Sequence, residues 1–439
     1  MALPVDWPHG LGAHDFSAEH YVGSWSLRNA CVTFASDGTG PHALSRAGTA
    51  AVVHGFSEYR FGFVRLLSVR AATVLEEQTI LRRCERRRHG LALPFLANNL
   101  YHALYHAVPA AEAEAGEAGA EAAAGEEATT LVPLIPPNFG LGRHLREGTT
   151  PLRPRAWHGW ELSVRALTRK SAADIGADLE RLLLRSGSCG SCVCFDRLRG
   201  NTHAFSPSAA DASPRLRAFR RTVLANLIPV PGVAASTQRG GAVLLVWRRD
   251  ATSRVLTNGD EVWRALRPLG GTRRVVLEAM PLSQQLRAVA AARGLVATHG
   301  QALALVPFLG AALPQPSDKQ SDGGDGGGGV GGGARLGVIE ILPSTRDLAT
   351  RFGWPAKRVK VGKPPFYHIY EELSHSLGLR HTQLTASLDA ACPEARRTRN
   401  RLPAHEAALR CNLTVASPQQ LAREVRRLRR WCGLSKNTP

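Results

Sequence analysis

The sequence predicts an α/β protein in two domains, and three observations carry that prediction. A chain of 439 residues, 44% of them hydrophobic, is long enough to build two cores. Residues 242–341 repeat one grammar, in which a short apolar run, a polar turn and an amphipathic stretch lead to the next apolar run. The two stretches that interrupt the chain are of low complexity, and the pattern resumes on their far side.

The repeat opens with GGAVLLVWRRDATSRVLTNGDEVWRAL, which reads as a strand at 242–247, a basic loop and a helix beginning near Asp260. GTRRVVLEAMPLSQQLRAVAAARG gives a strand at 273–278 and a helix with Ser283 as its N-cap. GLVATHGQALALVPFLG and RLGVIEILP supply two more core strands, at 295–298 and 336–341. Runs this short and uniformly apolar suit a parallel sheet covered on both faces. The strand–helix alternation is that of a Rossmann-like half, whose ligands gather at the carboxyl ends of the strands. His299, Gly300 and Glu340 fall at such ends. No G-x-G-x-x-G joins a strand to a helix, which argues against a nicotinamide or flavin enzyme. A strand at 357–361 and a helix at 365–378 follow.

Residues 1–227 form the predicted N-terminal domain. SWSLRNACVTFASDGTG reads as a strand and a turn, 61–88 as strand or helix, 100–108 as a helix with Leu100, Leu104 and Val108 on one stripe, and 131–136 as a strand. Helices are expected at 173–185 and 215–227. Within this domain, 110–130 (AAEAEAGEAGAEAAAGEEATT) has helix-forming residues but no apolar stripe, and reads as an exposed acidic insertion. Residues 228–391 are the second domain, interrupted by a glycine-rich insertion at 315–333. The tail, 392–439, ends in SPQQLAREVRRLRRWC: Ser417 caps a helix, Pro418 takes its first position and Gln420 closes a capping box. Leu421, Val425, Leu428 and Cys432 form a stripe that should pack on the chain's own core, with the arginines facing away.

The formal charge of +19 points to nucleic acid, an anionic membrane surface or a phosphate-bearing substrate. Zinc-finger spacing, a helix-turn-helix and an aromatic-and-basic sheet motif are all missing, so nucleic acid is not the expected partner. The arginine bias, with abundant alanine and glycine, fits a genome rich in G and C. The sequence has no run of eighteen apolar residues, and MALPVDWPHG lacks the charged and apolar regions of a signal peptide. Membrane contact would therefore require an N-terminal anchor missing from this chain. Cys189, Cys192 and Cys194 are close enough to hold a metal, but no second cluster completes the ligand set, and no metal is assigned. Cys31, Cys84, Cys392, Cys411 and Cys432 are placed to pair in an oxidising lumen, and Asn412, in Asn-Leu-Thr, is a glycosylation acceptor in a secreted chain.

Two groups carry candidate chemistry. Arg248, Arg249 and Arg254 lie between a strand end and a helix start, where guanidinium forks and helix N–H groups suit a diphosphate; a solvated basic loop is the plainer reading. His102 and His106 share a helix face, as a general base or as core histidines. As a metal pair they lack both the glutamate of the zincin pattern and an identifiable third ligand.

The order NNLYHALYH, LRAFRR, LLVWRRDATSRVLTNGDEV, THGQAL, VIEILP and FYHIYEELSHSLGLRH resembles glycosyltransferase family 61 over roughly residues 90–380. That group includes plant xylosyl- and arabinosyltransferases and the O-linked N-acetylglucosaminyltransferase of EGF-like domains. The resemblance implies a GT-B-like fold, two Rossmann-like domains facing across a cleft. It also implies inverting transfer of xylose or N-acetylglucosamine from a UDP-sugar donor to a glycan or glycoprotein acceptor, in the Golgi or endoplasmic reticulum lumen. Neither a bound cofactor nor an essential metal is implied. On the family's motifs, Arg248, Arg249, Arg254, Asn258, Glu261, His299, Gly300 and Glu340 would bind the donor, and His106 or His102 would be the base. The sequence departs from the family in having His106 where an acidic residue is common, in reading His-Gly-Gln-Ala-Leu at 299–303 with one glycine lost, and in the insertion before Glu340. A family member that binds nucleotide-sugar or glycan without catalysis is the alternative.

Overall fold

A computed structural model describes residues 20–21, 24–34, 41–45, 51–57, 62–71, 84–94, 100, 103–104, 107–108, 130–134, 158–165, 167, 193–201, 205, 207, 209–227, 241–249, 253–312, 335–352, 368–392 and 411–434. The chain is α/β and divides into two compact units, Met1–Ser206 with Arg221–Pro229, and Pro207–Arg220 with Val230–Pro439. Each unit has its own sheet. The division runs through one helix, Ala212–Leu227, at whose end the sequence reading drew its boundary.

The first unit holds β1 (His20–Tyr21), β2 (Ser24–Phe34), β3 (Pro41–Ser45), β4 (Ala51–Ser57), β5 (Gly62–Ala71), β6 (Glu85–Pro94), β7 (Thr130–Leu134) and β8 (Val193–Asn201). Their order is β1-β4-β5-β3-β2-β8-β6-β7. Only β7-β6-β8 is a run of parallel neighbours of the Rossmann kind. The rest is mixed: β2 runs antiparallel to β3 and β8, and β4 antiparallel to β5. The first unit is thus α/β with a mixed sheet, which departs from the Rossmann-like domain expected there. The reason is connection length: 35–40 and 58–61 are too short for a crossover helix, so the chain must turn back on itself. Leu100, Leu104 and Val108 are all buried, as their spacing requires, along with Leu91, Phe195 and Leu198 of β6 and β8. Cys31 and Cys194 sit directly opposite each other on β2 and β8 and form a disulfide, which removes Cys194 from any thiolate cluster.

The second unit carries β9 (Val243–Val246), β10 (Thr272–Val275), β11 (Gly294–Thr298), β12 (Gly337–Pro343), β13 (Arg380–Leu388) and β14 (Leu413–Thr414) in the order β10-β9-β11-β12-β13-β14. All pairs are parallel except β13 with β14. β9, β11 and β12 are buried along their whole length, as strands covered on both faces must be. β9 leads to β10 on one side and the chain then returns to β11 on the other, so the strand order reverses between β9 and β11. That is the topological switch point, where an open α/β sheet leaves a crevice at its carboxyl edge.

The predicted helices at 260 and 365–378 are Gly259–Leu266 and Ile369–Ser376. Ser283 is not an N-cap: Pro281 holds that position and the helix runs Leu282–Ala290, because the extended backbone of proline starts it earlier. In the tail helix, Pro418–Trp431, Ser417 Oγ accepts from Gln420 N at 3.1 Å. Its stripe Leu421, Val425, Leu428 and Cys432 joins the core of β9, β11 and β12. Gly294 and Gly337 make room for it, since a Cβ on Gly337 would stand 2.5 Å from Leu428. The Cys432 thiol is buried, which pushes its pKa up to about 12. A strand at 357–361, a helix at 173–185 and the insertion at 315–333 lie outside the described residues, as does nearly all of 110–130. Among the described residues, no helix is long and apolar enough to cross a membrane.

Candidate functional site

The switch point brings together residues from five places in the sequence. β9 ends at Val246 and delivers Arg248 and Arg249 to the carboxyl edge of the sheet. Glu278, just past β10, holds them: its Oε1 accepts from Arg249 N at 2.8 Å, and its Oε2 lies 3.8 Å from Arg248 Nε. Arg248 is only partly exposed. Its burial, followed by the charge of nearby Arg254, lowers the pKa of its guanidinium, and Glu278 opposes the shift. Two guanidinium groups so close repel each other, which makes the place attractive to an anion.

Arg254 is the described non-glycine residue with positive φ, at 58°, a left-handed conformation that costs about 1–2 kcal/mol. Its backbone is held on both sides: its N donates to Cys411 O at 3.0 Å and its O accepts from Thr298 Oγ1 at 3.1 Å. The guanidinium is held as well, with Nη1 donating to His299 O at 3.1 Å. Gly300, next in line, has φ 154° and ψ −167°, a region that side chains essentially exclude. A Cβ placed there would stand 3.1 Å from Arg254 Nη1 and 3.7 Å from Arg248 Nη1. Both guanidinium groups therefore reach over the bare Cα of Gly300. Directly after it a 3-10 helix, Gln301–Phe308, begins and adds backbone N–H groups to the same edge.

His299 follows β11 and has its imidazole fixed from beneath. Its Nδ1 is 2.6 Å from Oε1 of Glu340, a mid-strand residue of β12 with no exposed surface. Oε2 of the same carboxylate accepts from Gln383 Nε2 at 3.3 Å and lies 3.2 Å from His381 Nε2. Burial would push the Glu340 carboxyl up, but the hydrogen bond from His299 and the nearness of His381 outweigh it and hold the pKa below the usual range. An ionised Glu340 favours the His299 tautomer that carries its proton on Nδ1. Tyr370 of Ile369–Ser376 meets the ring edge-on, with centroids 5.1 Å apart.

Of the residues singled out from sequence, Arg248, Arg254, His299 and Gly300 converge, and exposed Arg249 joins them through Glu278. Glu340 lies beneath the site, acting through His299. Asn258 is engaged elsewhere: Nδ2 donates to Val415 O at 2.8 Å and Oδ1 accepts from Val415 N at 3.0 Å. Glu261, exposed in the first turn of Gly259–Leu266, lies 3.4 Å from Asn258 Nδ2. Asn412 is part-buried, and its Oδ1 accepts from Val255 N at 3.1 Å, so in the folded chain it fastens the arginine loop. His102 and His106 lie outside the described residues. Reasoning from sequence missed Glu278, His381 and Gln383. The last two are polar residues two apart on one face of β13, a pattern that signals a buried polar contact only once β13 is known to be a strand. Among the described residues, no group of three or more His, Cys, Asp or Glu side chains is disposed to hold a metal. The chain matches no protein-family model and no curated protein sequence.

Proposed function

We propose that the chain is an inverting glycosyltransferase of GT-B type, whose second unit binds the diphosphate of a UDP-sugar at the β9/β11 switch point. The observation that carries this reading is the convergence of Arg248 and Arg254 over Gly300. A diphosphate relieves the repulsion between the two guanidinium groups, and glycine alone lets it approach the backbone. The resemblance to glycosyltransferase family 61 supplies the donor class; the site supplies the matching charge.

In the reaction, an acceptor hydroxyl attacks the anomeric carbon from the face opposite the diphosphate. The carbon–oxygen bond to the β-phosphate breaks, UDP departs with the bonding electrons, and the hydroxyl proton passes to a base. Arg248, Arg254 and the His299 imidazole stabilise the charge that grows on the leaving diphosphate. The base is assigned from sequence alone to His106, with His102 as the second candidate. The disulfides Cys31–Cys194 and Cys392–Cys411, together with disulfide-bonded Cys84, support an oxidising compartment such as the endoplasmic reticulum or Golgi lumen.

Isothermal titration with UDP tests the donor site. Arg254→Ala should lose at least about 1.5 kcal/mol of binding free energy, the scale of one charge-assisted hydrogen bond. Slow hydrolysis of a UDP-sugar by the wild-type protein would distinguish catalysis from binding alone. UDP affinity unaltered by Arg254→Ala would refute the assignment.

A further inference from the structure

At the opposite, amino edge of the same sheet, the tail helix ends in an exposed indole. Trp431 is the large apolar side chain that stands out to solvent among the described residues, at 36% exposure. It is nonetheless held in place: Nε1 donates to Leu336 O at 3.3 Å, and the guanidinium groups of Arg335 and Arg380 sit over its ring, 4.9 and 5.6 Å from the centroid. Arg335 precedes β12 and Arg380 opens β13, so both stand at strand starts, away from Gly300. The outer face of Pro418–Trp431 adds exposed Arg423, Arg426, Arg427 and Arg430. These lie three, four and seven residues apart, in one row on the helix. Glu424 is the single acidic group in the row, and it accepts from Arg427 at 2.6 Å.

We propose that this face binds a linear polyanionic polysaccharide, sulfated or rich in uronic acid, independently of the site at Gly300. Contact with one indole holds two guanidinium groups side by side, and a guanidinium fork matches the paired oxygens of sulfate or carboxylate. The row along the helix extends the grip over about 10 Å, enough to meet successive charged sugars. A bilayer fits the face less well, because insertion needs apolar wedges. The one indole here is tied to the backbone and covered by cations. A nucleic acid fits less well too, since base stacking needs an open aromatic face and the indole here lies under two guanidinium groups.

The experiment titrates the full chain with a size-defined heparin oligosaccharide over a range of salt concentrations. Arg426→Gln with Arg430→Gln should weaken binding at least tenfold and reduce the salt slope by about two, as counterion release from two lost contacts requires. Trp431→Leu, which leaves net charge unchanged, should weaken binding at least threefold; Arg335→Gln with Arg380→Gln serves as its replacement if Trp431→Leu unfolds. The control pair Arg217→Gln with Arg346→Gln, exposed and carried by Ala212–Leu227 and by Thr345–Phe352, should change affinity less than twofold. An equal loss in the control pair would show attraction by the overall charge of +19 and overturn the proposal. So would wild-type affinity in both Trp431→Leu and the Arg335/Arg380 pair, or binding to anionic lipid vesicles with none to the oligosaccharide.

Discussion

Replacing Gly300 with alanine is the sharpest perturbation of the switch point, because two separable effects follow from one methyl group. The first is backbone strain. At φ 154° and ψ −167° a side chain costs about 1–3 kcal/mol, felt as lost stability. The second is displacement. The methyl would stand 3.1 Å from Arg254 Nη1, tighter than an ordinary contact, and the mobile end of the guanidinium is what yields. Its bond to His299 O, 3.1 Å long, is then lost, and with it the alignment of the charge; a hydrogen bond from a charged group contributes about 1.5–3 kcal/mol. If the diphosphate depends on that alignment, UDP affinity should fall at least tenfold, which is about 1.4 kcal/mol. Urea denaturation reads the first effect and isothermal titration the second. Gly378→Ala separates them: φ there is 70° and no atom lies within 4 Å of the added methyl, so stability should fall while UDP binding stays unchanged. Gly300→Ala with UDP affinity within twofold of wild type would refute the argument that the bare Cα is needed for close approach.

Two further outcomes follow from the same geometry. Glu340 has a lowered folded pKa, so its contribution to stability is present above the unfolded value of 4.5 and lost as pH falls through the folded one. Glu340→Gln should therefore flatten the acid limb of the urea midpoint against pH; an acid limb identical to that of wild type would show that the carboxylate is not ionised in its buried site. Replacing Cys392 and Cys411 together with serine should cost about 3 kcal/mol of stability for a loop of this length, and should weaken UDP binding by loosening Arg254, whose N–H is held by Cys411 O. Wild-type UDP affinity in the still-folded double variant would detach the tail from the site.

The second unit was largely legible because its strands are short apolar runs: β9, β11 and β12 lie within one or two residues of their expected bounds, and their burial on both faces is what uniform Val, Leu and Ile content demands. The site residues Arg248, Arg254, His299 and Gly300 were legible for a related reason, since they directly follow strands whose carboxyl ends line the crevice. β13 was not. RHTQLTASL sets Leu384, Ala386 and Leu388 on one face, but His381 and Gln383 on the other break the uniformly apolar run, and they turn to buried Glu340 and not to water. Glu340 falls on the expected strand but in its buried middle and not near its end, a distinction that a short apolar run does not encode. In the first unit the mixed order of β1 to β5 depends on which hairpins pair, and local propensity carries no information about that choice.

The tail, which the sequence sets apart at residue 392, proves to be what fixes the arginine loop. Arg254 carries about 1–2 kcal/mol of backbone strain that its own segment cannot offset. The segment 254–258 is instead laced to 411–415: Arg254 N to Cys411 O, Val255 N to Asn412 Oδ1, Leu413 N to Val255 O, Thr257 N to Leu413 O, and Asn258 to both backbone groups of Val415. Hydrogen bonds at about 0.5–1.5 kcal/mol each, six in all, exceed the strain even at the lower figure. The lacing holds because 411–415 is itself tied at both ends, by the Cys392–Cys411 disulfide before it and by the Ser417-capped helix after it, whose Leu428 seats on Gly294 and Gly337. Asn258 and Asn412, read from sequence as a donor contact and a glycan acceptor, are in the folded chain two of the fasteners. The position of a charge at the carboxyl edge of the sheet is thus set by residues about 160 positions downstream, as the separation of 157 between Val255 and Asn412 records. A truncation before Cys411 should accordingly abolish the geometry at Gly300 even though every arginine and histidine of the site would still be present.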